Sequence, residues 1–322
     1  MPMKRAVVYH YFEKNDIYKD NLIFFLSKGI FDGIDFFIII AGECTVELIH
    51  RENIRYIYVE NKNNDYGGYS ALVKSGALDQ YEAVLFVNSS VRGPFLPKYS
   101  GINWIEPFLS RLKGDVNLVG NSINIMPPDA SFARKNYKSN EPLVYRPHVQ
   151  TAVYALTQAA LRYLMSIRFY DIDTKLAKED VVIQYEIGLS TSILSNNWKI
   201  DCILPIYSAT ESVESIVSVD NFSAIQGDLL FEHAFFARTA NPYELIFIKT
   251  KCEMILPTEL ASYTFTALYE EQSQISYTEC DRLLHRSEKY LRKITDNRFL
   301  IKKVLRALGL RRLLRRYIKP LI

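Results

Sequence analysis

Apolar residues follow two rhythms along the first 210 positions. Short, nearly unbroken runs of Val, Ile, Phe and Tyr fill residues 6–11, 35–41, 54–60, 83–87 and 116–120. Several are too continuously apolar to have a wet face, which is how strands of a parallel sheet covered on both sides read. Between them, residues 15–28, 68–76 and 104–112 carry apolar positions at helical spacing. Strand alternating with helix predicts βαβ units and an α/β fold with a mostly parallel sheet flanked by helices. Further on, the spacing predicts helices over 148–165 and 179–196, the second opening with Glu179 and Asp180, acids suited to a helix N-terminus. Residues 202–206 and 245–249 read as strands, and 270–293 as a charged helix. The polar stretch 129–142 reads as a surface loop.

Composition adds bounds. A chain of 322 residues with 48% hydrophobic and 23% charged residues can bury a sizeable core. Four cysteines, Cys44, Cys202, Cys252 and Cys280, form no close pair, so neither a zinc site nor a disulfide framework is indicated. No leader-like segment opens the chain and no uncharged apolar run reaches membrane-spanning length, which points to a soluble or peripheral protein.

Charge is distributed unevenly. Residues 298–319 hold nine cations and no acid, so the rest of the chain, against a total of +3, carries −6. Leucines and isoleucines recur between these cations at roughly helical spacing. Such a helix can lie in a lipid headgroup layer with Lys302, Lys303, Arg306, Arg311, Arg312, Arg315 and Arg316 on anionic lipid. Docking onto the acidic body is the alternative. A nucleic-acid partner is not expected, because no DNA- or RNA-binding motif accompanies the run. These features suggest three regions: 1–210, carrying the site; 211–295, completing it; and the basic helix of 296–322.

The chemistry concentrates between residues 58 and 94. A strand ends at Glu60, and a polar loop with Asn61, Asn63, Asn64 and Asp65 leads into Gly67-Gly68. After a helix, a second apolar strand stops abruptly at Asn88-Ser89-Ser90. Ligands of open α/β sheets bind beyond the carboxyl ends of strands, and the glycines would let backbone approach a ligand. Ordinary helix-initiating and Asn/Ser turns would read the same way one at a time. Their tandem occurrence, one helix apart, predicts that both converge on one pocket.

The ordered set of phrases resembles GT-A glycosyltransferases, most closely the rhamnan-synthesis F type of bacterial polysaccharide enzyme. The phrases are Asp65-Tyr66-Gly67-Gly68-Tyr69, Phe86-Val87-Asn88-Ser89-Ser90-Val91-Arg92-Gly93-Pro94, Trp104, Val119-Gly120-Asn121-Ser122, His148-Val149-Gln150-Thr151 and Tyr185-Glu186-Ile187-Gly188-Leu189-Ser190. Asn241-Pro242-Tyr243-Glu244 and Phe247-Ile248-Lys249-Thr250 add a phrase common near the end of such enzymes. The resemblance implies a GT-A-like fold and a nucleoside-diphosphate sugar as donor. It further implies a glycan or lipid-linked glycan as acceptor, other polysaccharide-assembly enzymes as partners, and a place on the cytoplasmic face of the cell membrane. It puts the donor against Tyr9, His10, Glu43, Asn61, Asp65, Gly67, Gly68, Asn88, Ser89, Ser90, Arg92, His148 and Gln150.

Two requirements of the chemistry remain. GT-A enzymes usually hold Mn²⁺ or Mg²⁺ on a DxD-type carboxylate pair, yet the corresponding positions read Asn88-Ser89-Ser90. Only Asn88 and Ser90 could ligate a cation there, and weakly. Without a metal, a cation such as Arg92 would neutralise the diphosphate. Inverting transfer also needs a carboxylate base. GT-A enzymes often place it in an acidic motif about eleven residues before a turn, and Glu186 resembles that placement, with Asp180 and Glu179 as rivals. Loss of the DxD pair leaves open a noncatalytic subunit of a polysaccharide-assembly complex.

Overall fold

The computed structural model describes residues 4–126, 146–204, 233–236, 238–251, 254–269 and 277–307. The chain forms two compact units, Met1–Leu256 and Pro257–Ile322. The boundary expected near residue 210, the loop 129–142 and the cations Arg311, Arg312, Arg315 and Arg316 lie outside the described residues.

The first unit is built on strands that the apolar runs foretell: β1 (Arg5–Tyr11), β2 (Asp35–Ala41), β3 (Ile54–Val59), β4 (Ala83–Asn88) and β6 (Val116–Gly120). With β9 (Val153–Thr157) and β10 (Lys199–Cys202) they form a seven-stranded sheet in the order β10-β6-β9-β4-β1-β2-β3. Every pairing is parallel except those of β9, which runs antiparallel between β4 and β6. The carboxyl ends of β1 to β4 therefore share one edge with the amino end of β9. This is a GT-A-like, Rossmann-like α/β sheet.

Helix α1 (Asp16–Lys28) starts where the Asn15 side chain accepts hydrogen bonds from the N–H groups of Ile17 and Tyr18, satisfying donors that a helix start leaves open. It lays Phe24 and Phe25 on the sheet, both fully buried. Burying one such ring contributes about 2 kcal/mol. Successive strand residues face opposite ways, and β1 shows it. Tyr9 stacks on Phe25 of α1, with ring centroids 4.2 Å apart. His10 packs against Gly68 of α2 (Asn64–Lys74). Helices α1 and α2 thus cover opposite faces.

Several elements depart from expectation, among them the strand expected over 202–206, which forms earlier as β10 because it pairs with β6. The stretch 148–165 is not one helix. It divides into the end of β8 (Arg146–Val149), then β9, then α4 (Gln158–Ser166). Val153, Tyr154 and Thr157 suit a pleated surface, and between β4 and β6 the middle of the strand, Tyr154 to Leu156, is paired on both sides. Phe86 and Tyr154 stack across that pairing at 4.9 Å. The Thr157 hydroxyl then accepts from the Ala160 N–H and starts α4. Residues 104–112 yield only a short α3 (Glu106–Leu109), with Trp104 buried and donating to the Gly29 carbonyl at 2.9 Å. Residues 245–249 are split by a turn at Ile246, between a helical turn α7 (Pro242–Leu245) and β11 (Ile248–Lys249).

The helix expected over 179–196 forms, with an irregularity. An α-helical turn α5 (Lys178–Val181) passes into a π-helical segment, Val182–Ile187, and continues as α6 (Gly188–Ser195). Two minor pairings complete this unit: β7 (Ile123–Met126) with β8, and β5 (Val91–Arg92) with β11.

The second unit contributes α8 (Pro257–Tyr269) and α9 (Thr278–Ala307), which pack on each other. Helix α9 begins later than the expected 270–293 and runs further. Among the described residues no helix is long and apolar enough to cross a membrane. Cys44, Cys202 and Cys280 are free thiols, and Cys252 lies outside the described residues.

Candidate functional site

At the carboxyl edge of the sheet, a cavity of about 330 Å³ opens between the end of β1, the start of α2, the turn after β4 and the π-helical segment. That size falls within the range of small-molecule sites. Its floor is the meeting point of the two polar turns. The Asn88 amide donates from Nδ2 to Asp65 Oδ2 at 3.0 Å. The strands bearing these turns are not neighbours in the sheet, because β1 and β2 lie between β3 and β4. Helix α2 makes up the distance by crossing back over β1. Gly68 lets it come so close that a Cβ there would lie 2.6 Å from the His10 ring and 2.9 Å from Ile39.

The orientation of Asn88 is fixed. Its Oδ1 accepts from the Ser90 N–H at 3.1 Å and from the Ser90 hydroxyl. A backbone N–H can only donate, so the oxygen must face Ser90 and the amide nitrogen must face Asp65. Ser89 turns the other way. Its N–H donates to the His10 carbonyl at 2.9 Å and its Oγ accepts from the Phe12 N–H at 3.2 Å, tying β4 to the end of β1.

Asp65 is half-buried in the cavity wall. Burial pushes its carboxyl up to about 6, and the nearby Glu186 charge adds to this, while the Asn88 hydrogen bond and the Lys249 ammonium act against it. Glu186 lines the same cavity from the π-helical segment. A π-turn inserts a residue into the helical ladder and rotates the side chains that follow, here with Tyr185 turned inward against Tyr66 and Glu186 facing the cavity. His10 is also on the wall. Burial lowers its imidazole to about 4, so the ring is neutral at pH 7.

Of the residues expected to meet a donor, His10, Asn61, Asp65, Asn88, Ser89 and Ser90 line the cavity, together with Glu186. The others stand elsewhere. Tyr9 is in the core on the opposite face of β1. Glu43 is exposed beyond β2. Gly67 and Gly68 serve helix packing, the first against the Lys62 carbonyl. Arg92 is buried, its Nε donating to Asn21 Oδ1 at 2.9 Å with Asp20 3.6 Å away. It therefore faces the protein interior and not the cavity. His148 is buried in β8 opposite Asn124. Gln150 is buried behind Lys249. Asp180 is exposed on the first helical turn and outside the cavity lining.

Sequence reasoning overlooked the cations. Lys14, Lys178, Lys249 and Lys251 all line the cavity, four ammonium groups against the two carboxylates Asp65 and Glu186. Lys249 was present only as part of a phrase near the chain's end. Its signal is the stretch Ile248-Lys249-Thr250-Lys251, charged at the odd positions only, beside a strand end.

The residues at the expected metal position, Asn88 and Ser90, do not fit a hard divalent cation. Both lone pairs of Asn88 Oδ1 are taken by Ser90, its other end is a donor, and one Asp65 oxygen is engaged by that donor. Among the described residues no three His, Cys, Asp or Glu side chains cluster as a metal site. Two neutral ligands beside ammonium groups compete poorly with water for Mg²⁺ or Mn²⁺.

No family model matches the chain, and no curated protein does. Among solved structures it is similar to the galactosyltransferase LgtC in complex with donor and acceptor sugar analogues, at 15% identity over 56% of this chain and 70% of that one, with a TM-score of 0.30. It is also similar to the 4-diphosphocytidyl-2C-methyl-D-erythritol synthase from Anaerococcus prevotii, at 13% identity over 62% of this chain and 86% of that one, with a TM-score of 0.36. Likenesses this partial carry no argument about what this cavity binds.

Proposed function

We propose that this protein is a glycosyltransferase that takes a sugar from a nucleoside diphosphate and delivers it to a polysaccharide or lipid-linked saccharide. The observation that carries this reading is the hydrogen bond from Asn88 to Asp65, which joins two polar turns on the floor of one cavity facing Glu186. Support also comes from the place of that cavity, at the strand ends where α/β sheets bind ligands, and from the ordered motifs between Asp65 and Ser190.

In this reading the sugar diphosphate lies over Asn88, Ser89 and Ser90. An acceptor hydroxyl attacks the anomeric carbon as its bond to the phosphate oxygen breaks. The nucleoside diphosphate departs with the bonding electrons, and Glu186 takes the hydroxyl proton if the reaction inverts. His10, neutral and recessed, offers a hydrogen bond without adding charge. Rhamnose as the sugar follows only from the family resemblance. The basic segment 296–322 is proposed to hold the enzyme on the inner face of the cell membrane, beside a lipid-linked acceptor and other assembly enzymes.

The test is release of nucleoside diphosphate from a panel of nucleotide sugars, with and without saccharide acceptors. Turnover is expected, and Glu186→Gln should lower it about 100-fold or more while leaving nucleotide binding in place. The missing carboxylates at Asn88–Ser90 favour one other reading, a noncatalytic subunit. No turnover with any nucleotide sugar, together with binding to a partner transferase, would establish that alternative.

A further inference from the structure

A buried polar truss fastens β11 to the turn that follows β4. The Thr250 N–H donates to the Ser90 carbonyl at 3.0 Å, and the Thr250 hydroxyl lies 3.2 Å from the same oxygen. Asn21 Nδ2 donates to both the Thr250 hydroxyl and the Ser89 carbonyl, each at 2.9 Å. Arg92 Nε in turn donates to Asn21 Oδ1. Asn21, Ser89, Arg92 and Thr250 are all buried.

This truss has a consequence for the residues on either side of Thr250. Alternation along an extended chain turns Lys249 and Lys251 away from the interior, and both reach the cavity beside Ser90. Lys249 is held further. Its Nζ donates to Gln150 Oε1 at 3.3 Å, and the Gln150 N–H donates to the Ser122 carbonyl at 3.1 Å. Two ammonium groups thus stand next to a turn whose amide and hydroxyls are poor metal ligands.

We propose that Lys249 and Lys251 bind the diphosphate of the donor directly, and that this site works without a divalent cation. The inference rests on the transferase reading and names how that reading's substrate is held. Lysine ammonium groups bind phosphate as point charges without needing planar geometry. As the sugar–phosphate bond breaks, they neutralise charge where it develops on the leaving diphosphate. Arg92 is a positioning residue, acting through Asn21 and Thr250 on the two lysines. The donor's own bond balance is unchanged: the electron pair leaves with the diphosphate and no metal enters the step.

The experiment is calorimetric titration of the full chain with inorganic pyrophosphate and with a panel of nucleoside diphosphates, in EDTA and again with Mg²⁺ or Mn²⁺. Affinity in EDTA should match that with metal within about threefold, and should fall steeply with added salt. Lys249→Met and Lys251→Met should each weaken binding about tenfold, with Lys249→Arg largely restoring it. Circular dichroism and thermal melting establish that each variant is folded. Should a variant fail to fold, the salt dependence of the wild-type chain still decides. Binding that requires Mg²⁺ or Mn²⁺, binding indifferent to salt, or lysine variants that bind as the wild type would each overturn the inference. If nucleoside diphosphates bind only with metal, the inference falls and the transferase reading stands. If neither pyrophosphate nor any nucleotide binds, both fall.

Discussion

His10 and Tyr9 are adjacent in the chain and have opposite fates. Tyr9 enters the core beside Phe25, whereas His10 reaches the cavity wall with its Nε2 lacking a hydrogen-bond partner among the described residues. Burial holds the His10 imidazole down to about 4. The folded state therefore resists protonation at pH values where the unfolded chain accepts it. His10 stabilises fully above about pH 6.5, and that contribution is lost as the pH falls through 6.5 toward 4. Its size is up to about 3 kcal/mol. Asp65 acts in the opposite sense, since its raised carboxyl favours the folded state as the pH falls through about 6. The difference between wild type and His10→Phe isolates the first effect. Denaturant titrations should show the wild-type chain losing stability relative to His10→Phe between pH 6.5 and pH 4. Parallel curves would show that the imidazole is solvated. Nothing in the local sequence distinguishes Tyr9 from His10 as the cavity residue, because that depends on which face of β1 each helix covers.

Helix α2 shows how an element can be specified by contacts at a distance. In an exposed helix, replacing glycine by alanine usually stabilises by about 1 kcal/mol. At Gly68 the new methyl would meet the His10 ring at 2.6 Å and Ile39 at 2.9 Å, and at Gly67 it would meet the Lys62 carbonyl. Overpacking of this kind costs about 1–3 kcal/mol or more, so the sign reverses. Urea denaturation of Gly67→Ala and Gly68→Ala should show both destabilised by about 2 kcal/mol or more. A neutral or stabilising result at Gly68 would mean that α2 does not sit so close to β1. The sequence marks the glycine pair as a place of close approach. Only packing decides that what approaches is His10, Ile39 and a backbone carbonyl instead of a ligand. The same lesson holds for β9. Its apolar residues fit a helical period as well as a pleat, and the open position between β4 and β6 made it a strand.

At the scale of the whole molecule, the first unit carries the cavity and the chain ends in a cationic segment. Each lysine or arginine near an anionic surface contributes about 1 kcal/mol, so nine cations would suffice for the reversible attachment proposed above. Deleting residues 299–322 should release the protein from vesicles containing anionic lipid while leaving transfer to a soluble acceptor largely intact. Unchanged co-sedimentation with the vesicles would refute the anchoring role.

The order of apolar runs along the chain determined by itself that a mostly parallel sheet would form, since strands buried on both faces must be apolar throughout. It also marked the turns after Glu60 and Val87, because polar clusters at strand ends break that pattern visibly. The tandem of polar turns predicted their meeting; the tertiary structure alone decided that α2 joins them by crossing β1, that Arg92 is spent inside a polar truss, and that Lys249 and Lys251 face the cavity. Each of those outcomes depends on which side of a strand or helix a residue falls on once distant segments have packed. Strand alternation and the close crossing of α2 over β1 set those sides, and neither is written in any local stretch of sequence.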